Sequence, residues 1–341
     1  MNDSTYVLEV NHLKKYFPIK GGVFKRTVGH VKAVDDISFK VKETETLSLV
    51  GESGCGKSTT GRTIMRLYEA TDGEVILNGE NIMELPKNKF RSLRRNIQMI
   101  FQDPFSSLNP RMKVRDLLLE PIMTHKLAGR KEALRMVEEM IETVGLSKEQ
   151  LNRYPHEFSG GQRQRISIAR ALILKPKVVI LDESVSALDV SIQSQILNLL
   201  IKLQKEFDLT YIFISHDLNV VKHLSDRVGV MYLGQMMELA ETDVLYENPM
   251  HPYTQALLSA IPSLDVDEKK ERIILQGDVP DPSDPPSGCP FRLRCPMAFD
   301  HCAKEKPSFL EKEEGHWVAC HLFDERFEHQ REKQQQPETV N

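Results

Sequence analysis

Apolar residues gather along this chain in blocks of two lengths. Short, mostly apolar runs read as strands buried on both faces, the pattern of a parallel sheet. Thr46–Val50, Lys177–Leu181 and Thr210–Ile214 are such runs. Between the last two, Val190 to Phe207 carries apolar residues at three- and four-residue spacing, which predicts a one-sided helix. Residues 104 to about 175 are richer in helix signals, Arg130 to Val144 foremost. Short strands alternating with longer helices predict an α/β fold with a largely parallel core sheet and a helical insert. From about Pro249 the texture changes, with prolines clustered between positions 280 and 290. The segment from Glu325 is polar and Gln-rich, a composition expected to stay disordered. These shifts suggest a main domain over residues 1–250, an extension over 251–322 and a tail over 323–341. No internal repeat is present, so one main unit is expected, not two in tandem.

Composition narrows the function classes. The 341 residues are 40% hydrophobic and 28% charged, an ordinary soluble balance. The net charge of -4 gives no general attraction to nucleic acid or anionic membrane. No apolar run approaches the ~20 residues that span a bilayer, and MNDSTYVLEV lacks the layout of a secretory signal. The expected compartment is the cytosol, with any membrane contact made through a partner. The basic stretch Lys20 to Lys32 reads as a solvated hairpin tip and receives no function.

The first chemistry-bearing motif is Gly51-Glu52-Ser53-Gly54-Cys55-Gly56-Lys57-Ser58-Thr59, which matches G-x-x-x-x-G-K-[ST] directly after a strand and before a helical pattern. Its glycines let consecutive backbone N–H groups turn inward around a phosphate. The helix that follows points its positive end at the anion. Lys57 suits the β- and γ-phosphate oxygens, and the Ser58 hydroxyl suits Mg²⁺. Cys55 reads as a spacer, because nothing nearby in sequence supplies a base. The bland alternative, a chance Gly-rich turn, does not account for the strand–loop–helix context.

A second pair, Asp182-Glu183, ends an apolar strand. Alone, two acids there could simply begin a helix; downstream of a phosphate loop, Asp182 is expected to hold Mg²⁺ and Glu183 to polarise the attacking water. Phe158-Ser159-Gly160-Gly161-Gln162 places a capping serine and two glycines before a helix, a second anion-binding geometry. This segment resembles the L-S-G-G-Q signature of ABC ATPases, with Phe in the first place. The resemblance implies a RecA-like core, a small N-terminal antiparallel β subdomain and a helical insert. It also implies that Ser159, Gly160, Gly161 and Gln162 act on ATP held by a partner chain. Gln102 resembles the family's Q-loop glutamine, a further Mg²⁺ contact, and Ser186-Ala-Leu-Asp189 resembles its D-loop. His216 resembles the switch histidine, and Tyr16 the aromatic that stacks on adenine, with Phe17 as a rival. Ser184 stands where the family commonly has Pro.

The resemblance narrows through Phe101-Gln-Asp-Pro-Phe-Ser-Ser-Leu-Asn-Pro110, His251-Pro-Tyr-Thr254, Leu257-Leu258 and Ile261-Pro262 to the oligopeptide/dipeptide importer ATPases, in particular the second, F-type ATPase. That implies a non-identical ATPase partner, two membrane permease subunits and, indirectly, an extracytoplasmic solute-binding protein, at the cytoplasmic face of the membrane. No nucleic-acid partner is expected. An importer of the same architecture for nickel or oligosaccharide, or a soluble ABC ATPase of translation or repair, are the competing readings. The permease and binding protein choose the cargo, so this chain does not name it.

Four of the five cysteines, Cys289, Cys295, Cys302 and Cys320, crowd the extension, with 5, 6 and 17 residues between them. Disulfides are disfavoured in a reducing compartment. Structural zinc usually includes ligands 2–4 residues apart, which are absent here, whereas a [4Fe–4S] cluster tolerates wider spacing. Spacing leaves zinc, iron–sulfur and unligated thiols open. The resemblance implies a [4Fe–4S] cluster.

Overall fold

The computed structural model describes residues 6–22, 26–103, 107–186, 188–261, 272–327 and 330. The chain opens with two long antiparallel strands, β1 (Tyr6–Gly21) and β2 (Arg26–Lys42). It continues through β3 (Thr46–Val50), helix α1 (Lys57–Ile64) and the short strands β4 (Asp72–Leu77) and β5 (Glu80–Asn81). The last two return to the first pair and complete an antiparallel sheet in the order β2-β1-β4-β5. Helix α2 (Lys87–Leu93) and strand β6 (Ile97–Ile100) lead to a helical region of α3 (Val114–Thr124), α4 (Arg130–Thr143) and α5 (Gly160–Leu172).

The main sheet follows. Strands β7 (Val178–Asp182) and β8 (Thr210–Ile214) flank helix α6 (Val190–Phe207). Helix α7 (Leu218–Leu224), strands β9 (Arg227–Tyr232) and β10 (Gln235–Glu241), and helices α8 (Thr242–Glu247) and α9 (Pro252–Ser259) come next. The extension adds the hairpin β11 (Leu310–Glu313) and β12 (His316–Val318). Eight strands run in the order β11-β12-β10-β9-β3-β8-β7-β6. The pairs β9–β3, β3–β8, β8–β7 and β7–β6 are parallel; those from β9 outward to β11 are antiparallel.

Every residue of β3, β7 and β8 is buried, so these strands are mostly apolar and do not alternate between apolar and exposed polar positions. In α6 the buried positions are Ile196, Leu199, Leu200 and Leu203, one stripe of a 3.6-residue period. Each such aliphatic side chain contributes roughly 1.5–3 kcal/mol by leaving water. Asp208, in the left-handed region at φ 51°, ends that helix and turns the chain into β8. In α4 the buried stripe is Ala133, Val137, Met140 and Ile141. Beyond the extension, Glu325–Phe327 form a short 3-10 turn; residues 328, 329 and 331–341 of the tail lie outside the described residues.

The extension is bound to the main sheet by a buried acid. Glu238 on β10 accepts the backbone N–H groups of Met250 (2.7 Å) and His251 (2.9 Å) and a ring nitrogen of His316 on β12 (2.7 Å). His251 itself caps α9, its Nδ1 accepting the N–H of Tyr253 at 3.0 Å. That role requires the neutral ring. Burial lowers the His251 pKa to about 4, against a smaller upward pull from Glu238. The unfolded imidazole titrates near 6.5, so the cap stabilises the fold fully above pH 6.5 and this contribution is lost as pH falls towards 4. Between pH 7.5 and 5.5 the expected loss is roughly 1 kcal/mol. His251→Asn keeps an acceptor that does not titrate. Its melting temperature should fall less across that interval than the parent's, and equal pH slopes would refute the assignment.

Candidate functional site

Strand β3 delivers the chain into loop 51–59 and then into α1. Gly56 precedes α1 at φ 105°, and a Cβ there would strike the carbonyl oxygen of Ala33, so only glycine lets β2 lie against the loop. Lys57 is buried, and its ammonium donates to the carbonyl oxygens of Gly51 (2.8 Å) and Glu52 (3.0 Å). Cys55 sits in the apolar core below the loop, where burial raises its thiol pKa and Lys57 opposes the rise. Ser53 and Gly54 face solvent, while Ser58 and Thr59 begin α1 half-buried.

The acids arrive from β7. Asp182, the last residue of that strand, is fully buried and accepts the Ser58 hydroxyl at 2.6 Å. Arg62, one turn further along α1, reaches its other oxygen at 3.4 Å. A hydroxyl beside a buried carboxylate is a hard oxygen donor set that fits Mg²⁺. Glu183, one residue on, holds the left-handed conformation at φ 46°, and its N–H donates to the Ile214 carbonyl at 2.9 Å. A non-glycine residue in that region stores strain that the surrounding structure must hold in place. The turn swings the Glu183 carboxylate away from Asp182. There the Gln102 amide donates to it at 2.7 Å, and His216 Nδ1 lies 3.5 Å from its other oxygen. Gln102, expected also as a magnesium contact, thus meets Glu183 and not the Ser58–Asp182 pair.

The signature segment stands on its own helix. Ser159 caps α5, accepting the Gln162 N–H at 3.4 Å, while the Gln162 side chain returns to the Ser159 N–H at 3.0 Å. A Cβ on Gly161 would collide with Ile192 of α6, so glycine is required for these helices to approach. Among the described residues no hydrogen bond joins residues 159–162 to loop 51–59. Leu188 and Asp189 lead into α6; Ala187 lies outside the described residues. Tyr16 and Phe17 point to opposite faces of β1. The Tyr16 hydroxyl donates to Asp35, and Lys32 Nζ lies 5.7 Å from its ring. Burial, then Asp35, raises the Tyr16 pKa. Phe17 instead packs edge-on against Tyr68, with centroids 5.3 Å apart.

In the extension, Cys289 and Cys302 are buried, Cys295 and Cys320 half-buried, and all four are free. The Cys289 N–H donates to the Cys302 carbonyl at 2.8 Å. Burial raises the Cys289 thiol pKa to about 11 and that of Cys295 to about 12, and raises that of Cys320 as well. Neighbouring cysteines add to each rise, so the four lie within one another's electrostatic reach. Among the described residues no three His, Cys, Asp or Glu side chains are gathered closely enough to hold a metal ion.

Comparison with known proteins adds to this geometry. Residues 34–186 match the ABC transporter family, and residues 237–302 match the oligopeptide/dipeptide transporter C-terminal region. The oligopeptide transport ATP-binding protein AppF of Bacillus subtilis (strain 168) is 57% identical over 320 residues, covering 93% of this chain and 97% of its own. The chain belongs to the oligopeptide-transport ATP-binding proteins of the ABC family. The corresponding protein OppF of Escherichia coli (strain K12) is 53% identical over 323 residues, covering 93% of this chain and 96% of its own. Among solved structures, the ATP-binding cassette MJ0796, a dimer in a post-hydrolysis state with ADP and Pi, aligns with a TM-score of 0.61 and 26% identity. That alignment covers 69% of this chain and 98% of the cassette. The ABC ATPase fold and the F-type resemblance are thereby borne out. ATP and Mg²⁺ follow as ligands, ATP hydrolysis as the activity, and a membrane permease and an ATPase partner as the setting.

Three participants were not singled out from the sequence. Arg62 lies four residues after Ser58, and that helical spacing could have placed it near Asp182. Tyr253 and Arg294 reach the phosphate loop from far along the chain; Tyr253 falls in the His251-Pro-Tyr-Thr254 segment, but neither that motif nor any pattern around Arg294 indicates the contact.

Replacing Glu183 by Gln keeps the shape of the Gln102–Glu183–His216 group but removes the carboxylate that can polarise water. ATPase turnover of the assembled transporter should fall by a factor of about 10² or more while ATP binding persists. Near-parent turnover would show that another group does this work. Lys57→Ala should fail earlier, at nucleotide binding.

Proposed function

We propose that this ABC ATPase powers the import of oligopeptides or dipeptides from the cytoplasmic face of the membrane. The observation that carries the reading is the union of the ATP site with the oligopeptide/dipeptide transporter C-terminal region in one chain. No helix among the described residues is long and apolar enough to cross a membrane, and in this reading permease subunits supply the transport path.

In this reading the N–H groups of loop 51–59 and Lys57 hold the phosphates of ATP, and Tyr16 stacks on its adenine. Ser58 and Asp182 would hold Mg²⁺, which when bound would supply positive charge to offset that of the phosphates. Glu183 polarises a water and takes up its proton as the water oxygen attacks the γ-phosphorus; the bond to the bridging oxygen breaks, and ADP leaves with that electron pair. Gln102 and His216 orient the water and Glu183. Ser159, Gly160, Gly161 and Gln162, separate from this chain's own loop, take the γ-phosphate held by a second, non-identical ATPase. Two permeases and an external solute-binding protein complete the machine.

The isolated chain is therefore expected to be mostly monomeric and to hydrolyse ATP slowly. Co-expression with a companion ATPase and two permeases should give a stable complex whose ATPase rises with peptide-loaded binding protein. Full, peptide-regulated activity from a homodimer without permeases would overturn the transporter reading.

We further propose that Cys289, Cys295, Cys302 and Cys320 ligate a [4Fe–4S] cluster that staples the extension. What supports the reading is the donor type: four thiols within one another's electrostatic reach, where a bound cation would reverse the burial that keeps them protonated. Loading must draw them closer than they stand, across a segment with few ladder hydrogen bonds to break. Anaerobically purified chain should carry about four irons and four sulfides, with absorbance from thiolate-to-iron charge transfer. Stoichiometric zinc, or no metal, would end the cluster proposal and leave the ATPase assignment intact.

A further inference from the structure

The phosphate loop contains one acid, Glu52, placed where it adds negative charge beside a site for anions. The structure ties that residue to the C-terminal extension. Arg294, 242 residues away, grips the Glu52 carboxylate with both terminal nitrogens, at 2.5 and 2.9 Å. The Tyr253 hydroxyl accepts the Glu52 N–H at 2.9 Å. The Glu52 carbonyl in turn accepts from Lys57.

Arg294 is itself held in place. Its side chain is 8% exposed, against 29% for Glu52. Its guanidinium lies 5.9 Å from the Tyr232 ring centroid and reaches the Tyr232 hydroxyl at 3.5 Å. Tyr232, Tyr253 and Phe291 form a buried aromatic block with centroids 4.9–5.3 Å apart. Tyr232 ends β9, whose preceding carbonyl, from Met231, presses against Gly51. The fork is thus built on the strand that supports the loop.

We propose that Arg294 is a positioning residue for the phosphate loop: it holds and neutralises Glu52, making ATP affinity depend on the extension. A bidentate arginine–carboxylate pair is strong and directional, and without it the Glu52 carboxylate would repel the incoming phosphates in a poorly screened site. Arg294 immediately precedes Cys295, so whatever orders the cysteine segment also orders the loop. By linkage, nucleotide on the loop acts back on that segment. The inference rests on loop 51–59 being the phosphate site.

Equilibrium displacement of a fluorescent ATP analogue from the full chain, by ATP and by AMP, tests this. Arg294→Gln should weaken ATP binding about tenfold and AMP binding far less, because repulsion grows with phosphate charge. Adding Glu52→Gln should bring ATP affinity back to within about threefold of the parent, since the offending charge is then gone. A thermal melt identifies folded variants; if Arg294→Gln does not fold, Arg294→Lys serves instead, with a smaller loss rescued in the same way. Parent-like ATP affinity in a folded Arg294 variant, equal losses for ATP and AMP, or a double variant no better than the single one, would overturn the proposal. Lys57→Ala is the control for the site itself: ATP binding retained there would sink the phosphate-site reading instead.

Discussion

A strand buried on both faces can carry a charge only where hydrogen bonds or a counter-charge satisfy it, and this constraint arranges the site. Strands β3, β7 and β8 are buried at every residue and their only charged member is Asp182, at the end of β7. Parallel pairing puts the ends of these strands on one edge. Gly51 follows β3, Asp182 closes β7, Glu183 follows it, His216 lies just past β8, and Gln102 lies just past β6. Residues far apart in sequence meet because their strands end at the same edge, the usual position for ligand sites in open α/β sheets.

That edge separates two acids that adjoin in sequence. Asp182 stays in strand geometry and meets Ser58 and Arg62, whereas Glu183 turns left-handed and meets Gln102 and His216. The backbone strain at Glu183 is held by its N–H bond to Ile214 on the neighbouring strand. The two acids thus reach separate sets of partners although they adjoin in sequence.

The extension is part of the same construction. Glu238 ties β10 to the start of α9 and to β12 through three hydrogen bonds in a fully buried setting. A buried carboxylate is tolerated only when so satisfied. With β12 anchored in the main sheet, Tyr253 and Arg294 are held against the phosphate loop. The peptide-transporter region and the ATP site therefore share one framework.

Much of this was legible in the residues alone. The buried strands, the one-sided helix α6, the capped start of α5 and the phosphate loop follow from periodicity, propensity and backbone sterics, which act over a few residues and leave local marks. The resemblance to the ABC ATPases, carried by motifs in the family's order, picked out Gln102 and His216 as candidates, and Glu183 followed from its place after an apolar strand downstream of the phosphate loop. Other features belong to the tertiary structure: the fork of Arg294 on Glu52, the joining of β12 to β10 and the Glu238–His316 contact. Each links segments separated by many residues, and its geometry depends on how the sheet brings them together. A lone arginine or a buried glutamate carries no mark of its partner until the chain is folded around it.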